Sequence, residues 1–146
     1  MQEISLCLSG KYARAAYGHT QEMIEMLKLE EKRDVFARNL TLPERKKLEV
    51  ARALAMNPEL LLLDEVMAGL NLKDVEETMQ LIREINQKGV TIVMIEHIMK
   101  VIMGISDKII VMNRGALICE GVPEAVANDP KVIEAYLGSR FNKGKS

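Results

Sequence analysis

The sequence predicts an α/β fold in which two parallel strands are followed by a carboxyl-terminal hairpin. Two short aliphatic runs, Leu60–Leu63 and Val90–Ile95, are separated by a stretch with helical periodicity. Strand, helix and strand over this distance form a crossover unit, in which the two strands pair in parallel. Further along, Asn113-Arg114-Gly115 separates two more apolar runs and is typical of a tight hairpin turn.

Composition narrows the class of protein. The chain has 146 residues, of which 48% are hydrophobic, so it is long enough to form one domain with a real core. Its 20 Lys and Arg residues nearly balance its 21 Asp and Glu residues, so no overall field favours binding to nucleic acid or anionic lipid. Cys7 and Cys119 lie far apart without a CxxC partner, which favours a reducing compartment over a disulfide or zinc framework. No apolar run approaches the ~18 to 20 residues of a membrane span, and we therefore expect a cytoplasmic domain.

Two amphipathic helices precede the first strand. Apolar residues recur every three or four positions and predict a helix over residues 20–33. A second helix begins near Thr41, since Thr41 and Glu44 have the spacing of a capping box and Pro43 falls in the first turn. The dipeptide Asn57-Pro58 ends this helix.

The first strand ends in two acids. The run Leu60–Leu63 lies between Asn57-Pro58 and Asp64-Glu65 and predicts a short strand that is buried on both faces. The carboxyl ends of strands in an open α/β sheet form the edge where ligands bind. Two adjacent carboxylates there suit phosphate chemistry, in which Asp64 holds Mg²⁺ through water and Glu65 polarises an attacking water. The alternative is a core strand that runs into an acidic surface turn.

A capped helix connects the two strands. After a loop over residues 66–71, Asn71 caps a helix that runs to Lys88, with Gly89 at its C′ position. The predicted inner face of this helix carries Val75, Thr78, Met79, Ile82 and Ile85.

The second strand brings a histidine to the same edge. The run Val90–Ile95 is followed by Glu96 and His97. Because the carboxyl ends of parallel strands meet at one edge, the sequence predicts that Asp64, Glu65 and His97 lie together.

The elements after His97 are short. The pattern predicts, in order, a helix over 98–105, hairpin strands over 108–112 and 116–120, a helical turn over 123–127 and a terminal helix over 130–137. The polar residues that follow predict a flexible tail.

Four motifs occur in an order and spacing that resembles the ATP-binding subunits of ABC transporters. They are Leu40–Leu54, Leu60–Glu65, Ala68–Asn71 and His97, which look like the signature motif with its helix, the Walker B strand, the D-loop and the switch histidine. The stretches Ile95–Asp107 and Val132–Gly138 look most like the branched-chain amino-acid import branch. The resemblance covers residues 20–138.

The resemblance implies a fold and a set of roles. The fold is the carboxyl-terminal portion of a P-loop NTPase (RecA-like) ATPase head, in which Asp64 holds Mg²⁺ through water, Glu65 acts on the attacking water and His97 contacts the γ-phosphate. The signature residues, which bind the nucleotide of the opposite head, are Thr41, Leu42, Pro43 and Glu44. The D-loop residues are Ala68, Gly69, Leu70 and Asn71.

The resemblance also implies cofactors, partners and a domain division. ATP and Mg²⁺ are the expected ligands, and the expected partners are a second ATPase head, transporter membrane subunits and an amino-terminal half, but no nucleic acid. Such a protein is peripheral on the inner face of the cell membrane. Residues 1–57 would form part of the α-helical subdomain, residues 58–138 part of the RecA-like core and residues 139–146 a flexible tail.

Several residues depart from the family pattern, and these departures are as informative about function as the matches. Leu42 and Pro43 stand where the family has two small residues, so Pro43 removes a phosphate-facing N–H and Leu42 crowds the approach. Val66 replaces a proline, which should loosen the turn. The chain has no G-x-x-x-x-G-K-[ST] loop and no glutamine loop, and Gly10-Lys11 does not replace them because neither the upstream glycine nor the following hydroxyl is present. We therefore expect no ATP hydrolysis from the isolated chain.

Two other functions are compatible with these features. A head that lacks the phosphate loop could act as a docking module that no longer hydrolyses ATP. The carboxyl lobe of a chromosome-maintenance ATPase also lacks its own phosphate loop, but this chain has neither sustained heptads nor an excess of basic residues.

Overall fold

The computed structural model describes the backbone of residues 10–143 and, within it, the side chains of residues 17–136. The chain divides between Ile95 and Glu96 into an amino-terminal unit and a carboxyl-terminal unit, which are described separately. The α/β fold with parallel strands and a later antiparallel hairpin is confirmed. The boundary that the resemblance implies, between a helical subdomain that ends at residue 57 and a RecA-like core that begins at residue 58, stays a prediction. None of the helices in the described residues is both long enough and apolar enough to cross a membrane.

The first helix, α1, is displaced from its predicted position. It runs over Gly10–Met26 rather than 20–33. It ends early because Lys28 adopts a left-handed conformation, with φ of 55°. The N–H of Leu29 then donates to the carbonyl of Ile24 (2.9 Å) and that of Lys28 to Glu25 (3.0 Å), which is the bonding pattern of a Schellman C-cap. Two short 3₁₀ turns, Glu30–Lys32 and Ala37–Asn39, follow.

The second helix, α2, begins where the capping pattern predicts. It runs over Leu42–Leu54 with Thr41 as N-cap. The Thr41 N–H donates to Glu44 Oε2 over 2.8 Å, which satisfies a backbone donor that the helix itself leaves unpaired. Lys32 Nζ lies 3.1 Å from Glu44 Oε1, so the preceding 3₁₀ turn is tied to the same carboxylate.

A strand–helix–strand motif forms the rest of the described amino-terminal unit. It consists of β1 (Leu60–Asp64), α3 (Leu72–Gln87) and β2 (Thr91–Ile95), and the two strands pair in parallel, as predicted. Asn71 caps α3 by accepting the N–H of Asp74 over 3.0 Å. Gly89 follows α3 with φ of 93°. The buried residues of α3 are Val75, Thr78, Met79, Leu81, Ile82 and Ile85, which include all five predicted ones.

The prediction that the first strand is buried on both faces is wrong. Leu61 and Leu63 are buried, but Leu60 is 51% exposed and Leu62 is 69% exposed. A run of leucines does not show whether one face or both will be covered, and in the described residues only one face of β1 is.

The described part of the carboxyl-terminal unit is a hairpin with three helices. Its elements are α4 (Met99–Ile105), β3 (Ile109–Asn113), β4 (Ala116–Gly121), α5 (Pro123–Ala127) and α6 (Pro130–Lys143). The turn residues Arg114 and Gly115 have φ of 50° and 80°, the combination that a two-residue hairpin of the I′ type requires.

The core of this unit is small and aliphatic. Ile109, Val126 and Val132 are buried together, with Ile118 and Cys119 packed against them among other side chains. Helix α6 extends to Lys143, six residues beyond its predicted end at Leu137. The flexibility of the tail stays a prediction, and residues 144–146 lie outside the described residues, as do 1–9.

Candidate functional site

The two acids lie at the carboxyl edge of the parallel strand pair. Asp64 is the last residue of β1 and is in register with Ile95, the last residue of β2. Glu65 follows immediately, and both side chains are exposed. The acid pair is therefore at the edge of the sheet where α/β proteins bind ligands.

The backbone of Glu65 is held in an unusual conformation. Its φ is 45°, in the left-handed region that residues with a side chain enter at a cost of about 1 kcal/mol. Its N–H donates to the carbonyl of Ile95 over 2.9 Å, and its own carbonyl accepts the N–H of Ala68 over 3.0 Å. These two bonds fix the backbone of Glu65 and the direction of its Cα–Cβ bond at the edge of the sheet.

The segment after Glu65 is anchored by burial. Val66 is 5% exposed and Met67 is fully buried. Leu70 N–H donates to the carbonyl of Met67 over 3.2 Å, and Gly69 has φ of 79°. The predicted D-loop, Ala68–Asn71, is thus a chain of tight turns that connects the acid pair to the N-cap of α3.

The signature segment, Thr41–Glu44, and the D-loop come together in the amino-terminal unit. A Cβ built on Gly69 would lie 3.1 Å from Leu42 Cδ2, so the leucine side chain lies against the glycine backbone. Leu42 keeps 37% of its surface exposed. Sequence reasoning missed this contact, because no local pattern links residues 27 positions apart. The predicted effect of Leu42 on a nucleotide stays a prediction.

The amino end of α2 already faces a carboxylate of its own chain. The pKa of Glu44 is lowered to about 2, first by the hydrogen bond from the Thr41 backbone N–H, then by the Thr41 side chain and by Lys32. A negative group is favourable at this end of a helix, because the free N–H groups and the helix dipole are positive there. The carboxylate of Glu44 therefore neutralises part of the positive potential at this end of the helix, which would otherwise favour an incoming phosphate.

His97 is exposed and is the second residue after β2. It belongs to the carboxyl-terminal unit, whereas Asp64 and Glu65 belong to the amino-terminal unit. The meeting of all three side chains at one edge therefore stays a prediction.

The acid pair fits a magnesium ion that is shared with a phosphate ligand. Among the described residues, no group of three or more His, Cys, Asp or Glu side chains could hold a metal alone. Mg²⁺ is commonly held by one or two carboxylates together with water and substrate phosphates, and Asp64 with Glu65 offers that donor set.

A cavity of about 200 Å³ lies at the opposite end of the strands. Its lining includes Pro58 and Val90, which precede β1 and β2, together with Leu54 and Ile85. The lining is mainly apolar and lies far along the strands from the acids. It therefore suits packing better than phosphate chemistry.

Comparisons with known proteins agree with this geometry. A family described as "Branched-chain amino acid ATP-binding cassette transporter" matches residues 116–142. The high-affinity branched-chain amino acid transport ATP-binding protein LivG of Salmonella typhimurium is 48% identical over 103 residues, which are 70% of this chain and 40% of that protein. BraF of Pseudomonas aeruginosa, described in the same terms, is 39% identical over 126 residues, or 86% of this chain and 49% of that protein. The chain spans about half the length of these relatives or less.

Solved structures give the same result for the fold. The structure of the ADP conformation of MJ1267, an ATP-binding cassette of an ABC transporter, superposes with a TM-score of 0.78 at 31% identity. The match covers 85% of this chain and 50% of that one.

Fold, motif order and sequence similarity together define the class: the chain belongs to the ATP-binding-cassette family of ABC transporters. Within that family it groups with the ATP-binding proteins of the branched-chain amino-acid type, and it corresponds to their carboxyl-terminal part. The comparisons do not favour the chromosome-maintenance alternative.

Proposed function

We propose that this chain provides the hydrolytic edge of an ATPase head that powers an ABC importer. The observation that carries the proposal is the placement of Asp64 and Glu65 at the carboxyl edge of a parallel strand pair, with Glu65 fixed by two backbone hydrogen bonds. The resemblance assigns metal binding to Asp64 and water activation to Glu65. The fixed backbone of Glu65 supports its role in this assignment.

Each site residue has one role in this proposal. Asp64 would hold Mg²⁺, and Glu65 would orient or deprotonate the water that attacks the γ-phosphate. His97 hydrogen-bonds the same phosphate and stabilises its charge as the bond breaks. The Mg²⁺ ion, when bound, supplies charge neutralisation at the phosphate oxygens.

The signature segment and the D-loop act towards a second head. Thr41–Glu44 faces the nucleotide of the opposite subunit, and Ala68–Asn71 lies at the same interface. The contact between Leu42 and Gly69 supports a joint role, because the two segments touch within this chain. Because Glu44 already caps α2, we expect the amino end of this helix to bind the phosphate of the partner's nucleotide weakly.

The imported substrate and the membrane partners follow from the relatives. LivG and BraF are named for high-affinity branched-chain amino acid transport, and we assign the same substrate class to the transporter that this chain serves. The chain then works on the inner face of the cell membrane, bound to transporter membrane subunits.

ATP binding requires polypeptide that this chain does not contain. Its 146 residues include no G-x-x-x-x-G-K-[ST] loop to hold the phosphates. The isolated chain is therefore expected to show no ATPase activity. A purely docking role shares that expectation, so the test has to supply the phosphate loop.

A covalent chimera provides that test. The part of Salmonella LivG that precedes the matched stretch is joined to this chain, and ATP turnover is measured with Mg²⁺. Turnover is expected, and Glu65→Gln should lower kcat by roughly 100-fold or more, since general-base catalysis contributes that much. Glu59→Gln, an exposed glutamate just before β1, is the matched control and should leave kcat unchanged. Normal turnover in the Glu65→Gln chimera would refute the proposal, and an inactive parent chimera would favour the docking role.

A further inference from the structure

The cavity at the amino end of the strands is lined by three side chains that carry metal-ligand atoms. They are His19, Met23 and Met26, all on α1. A spacing of four and then three residues places side chains on one face of a helix. Most of the remaining lining is apolar, as at Leu54 and Ile85. One imidazole and two thioethers therefore share a space of about 200 Å³ that offers few other polar groups.

The imidazole of His19 has a buried nitrogen without a hydrogen bond. Its Nε2 is closed to water and has no hydrogen-bond partner among the described residues. Its Nδ1 lies 3.9 Å from Glu22 Oε2, and this carboxylate favours a proton on Nδ1. The lone pair is then on Nε2. A buried acceptor without a partner is unfavourable, so Nε2 favours a ligand that takes up its lone pair.

The two methionines lie at the wall of the cavity rather than in the core. Met23 and Met26 are half-buried, whereas Leu27, the next residue along the chain, is 1% exposed. A methionine side chain has three rotatable bonds, so both sulfurs can turn towards the imidazole without a change in the backbone. The space that remains beside them gives room for a ligand.

This set of donors selects the class of ion. Thioether sulfurs are soft ligands that favour Cu(I), whereas carboxylates favour Mg²⁺ and Ca²⁺, and thiolates with imidazoles hold zinc. Among the described residues, no group of three His, Cys, Asp or Glu side chains could hold a metal, so sites of the latter two kinds are not offered there. Because Nε2 of His19 is closed to water, the site also suits an ion that binds without its hydration shell.

The charge around the cavity favours a cation. Met26 and Lys88 also border a neighbouring depression whose lining includes Glu22, Glu25 and Glu84. Three carboxylates and one ammonium give this rim a net negative charge, which attracts cations. Lys88 Nζ donates to Met26 Sδ over 3.3 Å. Its positive charge therefore opposes an ion at that sulfur, and this opposition can be tested.

We propose that His19, Met23 and Met26 form a binding site for a soft monovalent cation of the Cu(I) class. His19 Nε2 and the two sulfurs supply three neutral donors, and Glu22 orients the imidazole through Nδ1. The site is independent of the proposed function, since it lies at the opposite end of the strands from Asp64 and uses no residue of the hydrolytic edge.

Competition for Cu(I) tests the proposal. The full chain is prepared with Cys7→Ser and Cys119→Ala, because thiolates bind the same ion. Cu(I) is supplied without oxygen as its complex with a chromogenic chelator of varied concentration, and the loss of colour gives the affinity of the chain. We expect one Cu(I) ion to be transferred to each chain. A chain that takes up no Cu(I) overturns the proposal.

Loss of the donor atoms should weaken binding. Met23→Leu with Met26→Leu removes both sulfurs at nearly constant volume, and His19→Phe keeps a ring without its nitrogens. Each variant should lower the affinity roughly tenfold or more, a loss that even outer-shell changes cause in metal sites. Met56→Leu is the matched control, because Met56 is 81% exposed and lies outside the cavity lining. Equal affinities in all variants, or an equal loss in Met56→Leu, overturn the assignment.

Two further measurements do not depend on how well those variants fold. X-ray absorption at the copper edge should show sulfur and nitrogen neighbours in the parent, and a copper ion without sulfur neighbours overturns the proposal. Lys88→Gln should raise the affinity severalfold, because it removes a positive charge beside Met26 Sδ. An unchanged or lower affinity in Lys88→Gln would show that the ion does not bind at this sulfur, which also overturns the proposal.

Discussion

The side chain of Leu42 lies against the backbone of Gly69, so that a Cβ on Gly69 would come within 3.1 Å of Leu42 Cδ2. Gly69 also has φ of 79°, which favours glycine. The amino end of α2 and the turn after Glu65 are therefore held together at a point where no side chain at position 69 fits without adjustment.

Gly69→Ala should destabilise the chain by about 1 to 2 kcal/mol, chiefly because of the left-handed backbone. Urea unfolding provides the measurement. Leu42→Ala in the Gly69→Ala background should recover only the steric part, a fraction of the total, because the strain in φ remains. A double-mutant cycle separates the two contributions. An unchanged unfolding free energy for Gly69→Ala would show that the turn does not need glycine.

The lowered pKa of Glu44 predicts that the stability of the folded chain depends on pH in the acidic range. The pKa of Glu44 in the folded chain is lowered from 4.5 to about 2 by the Thr41 N–H, the Thr41 side chain and Lys32. A group with a depressed pKa stabilises the folded state above its unfolded pKa, and this stabilisation is lost as the pH falls. The loss should therefore occur between about pH 4.5 and pH 2.

Glu44→Gln tests this expectation. The variant should be less stable than the parent at neutral pH and should lose less stability across the acidic range. Thermal unfolding as a function of pH measures both effects. Glu59→Gln is the control, because Glu59 is exposed and lies outside the cap. Parallel pH curves for Glu44→Gln and the parent would contradict the role of the cap.

Local chemistry made much of this fold predictable from sequence. The capping box of Thr41 with Glu44 and the N-cap at Asn71 are short-range, and both form as predicted. The hairpin turn at Arg114 and Gly115 is similarly local. In such segments, nearby residues supply the capping hydrogen bonds and the turn conformation that determine where an element begins or ends.

Features without a local sequence signal, and contacts between segments far apart in the chain, were not predictable in the same way. The end of α1 depends on a left-handed Lys28, a residue type that gives no signal for that conformation. The contact of Leu42 with Gly69 joins segments that are far apart in sequence. The exposure of Leu62 depends on what covers the sheet, which a run of leucines does not reveal.

The thiol of Cys119 in the carboxyl-terminal unit should be slow to react. Burial, followed by the hydrogen bond and charge of Asp129, raises the pKa of Cys119. The carboxylate of Asp129 in turn accepts the N–H of Lys131 over 2.8 Å, and that bond is the main reason why the pKa of Asp129 is lowered. The thiolate is the reactive form of cysteine, so its fraction at neutral pH is reduced.

Asp129→Asn should accelerate alkylation of Cys119 by iodoacetamide severalfold. The amide removes the negative charge but retains an oxygen that can cap α6. The rate is measured in a Cys7→Ser background, so that one thiol is followed. Glu124→Gln, another acid of this unit, is the matched control and should leave the rate unchanged. If Asp129→Asn reacts at the parent rate, the carboxylate does not control the thiol.

The conformation of Glu65 predicts a conflict between stability and function. With φ of 45°, Glu65 is in a region where glycine is at least as favourable as any other residue, yet the proposed chemistry requires a carboxylate there. Glu65→Gly should therefore stabilise the isolated chain by about 0.5 to 1 kcal/mol, while it removes turnover from the chimera.

Glu65→Ala is the control that separates the two effects of this substitution. Alanine removes the carboxylate but keeps the Cβ that makes a left-handed backbone unfavourable, so it should abolish turnover without stabilising the chain. Urea unfolding of the two variants beside the parent measures the difference. If Glu65→Gly and Glu65→Ala are equally stable, the turn is not strained by its side chain, and the bonds to Ile95 and Ala68 would be sufficient to account for its geometry.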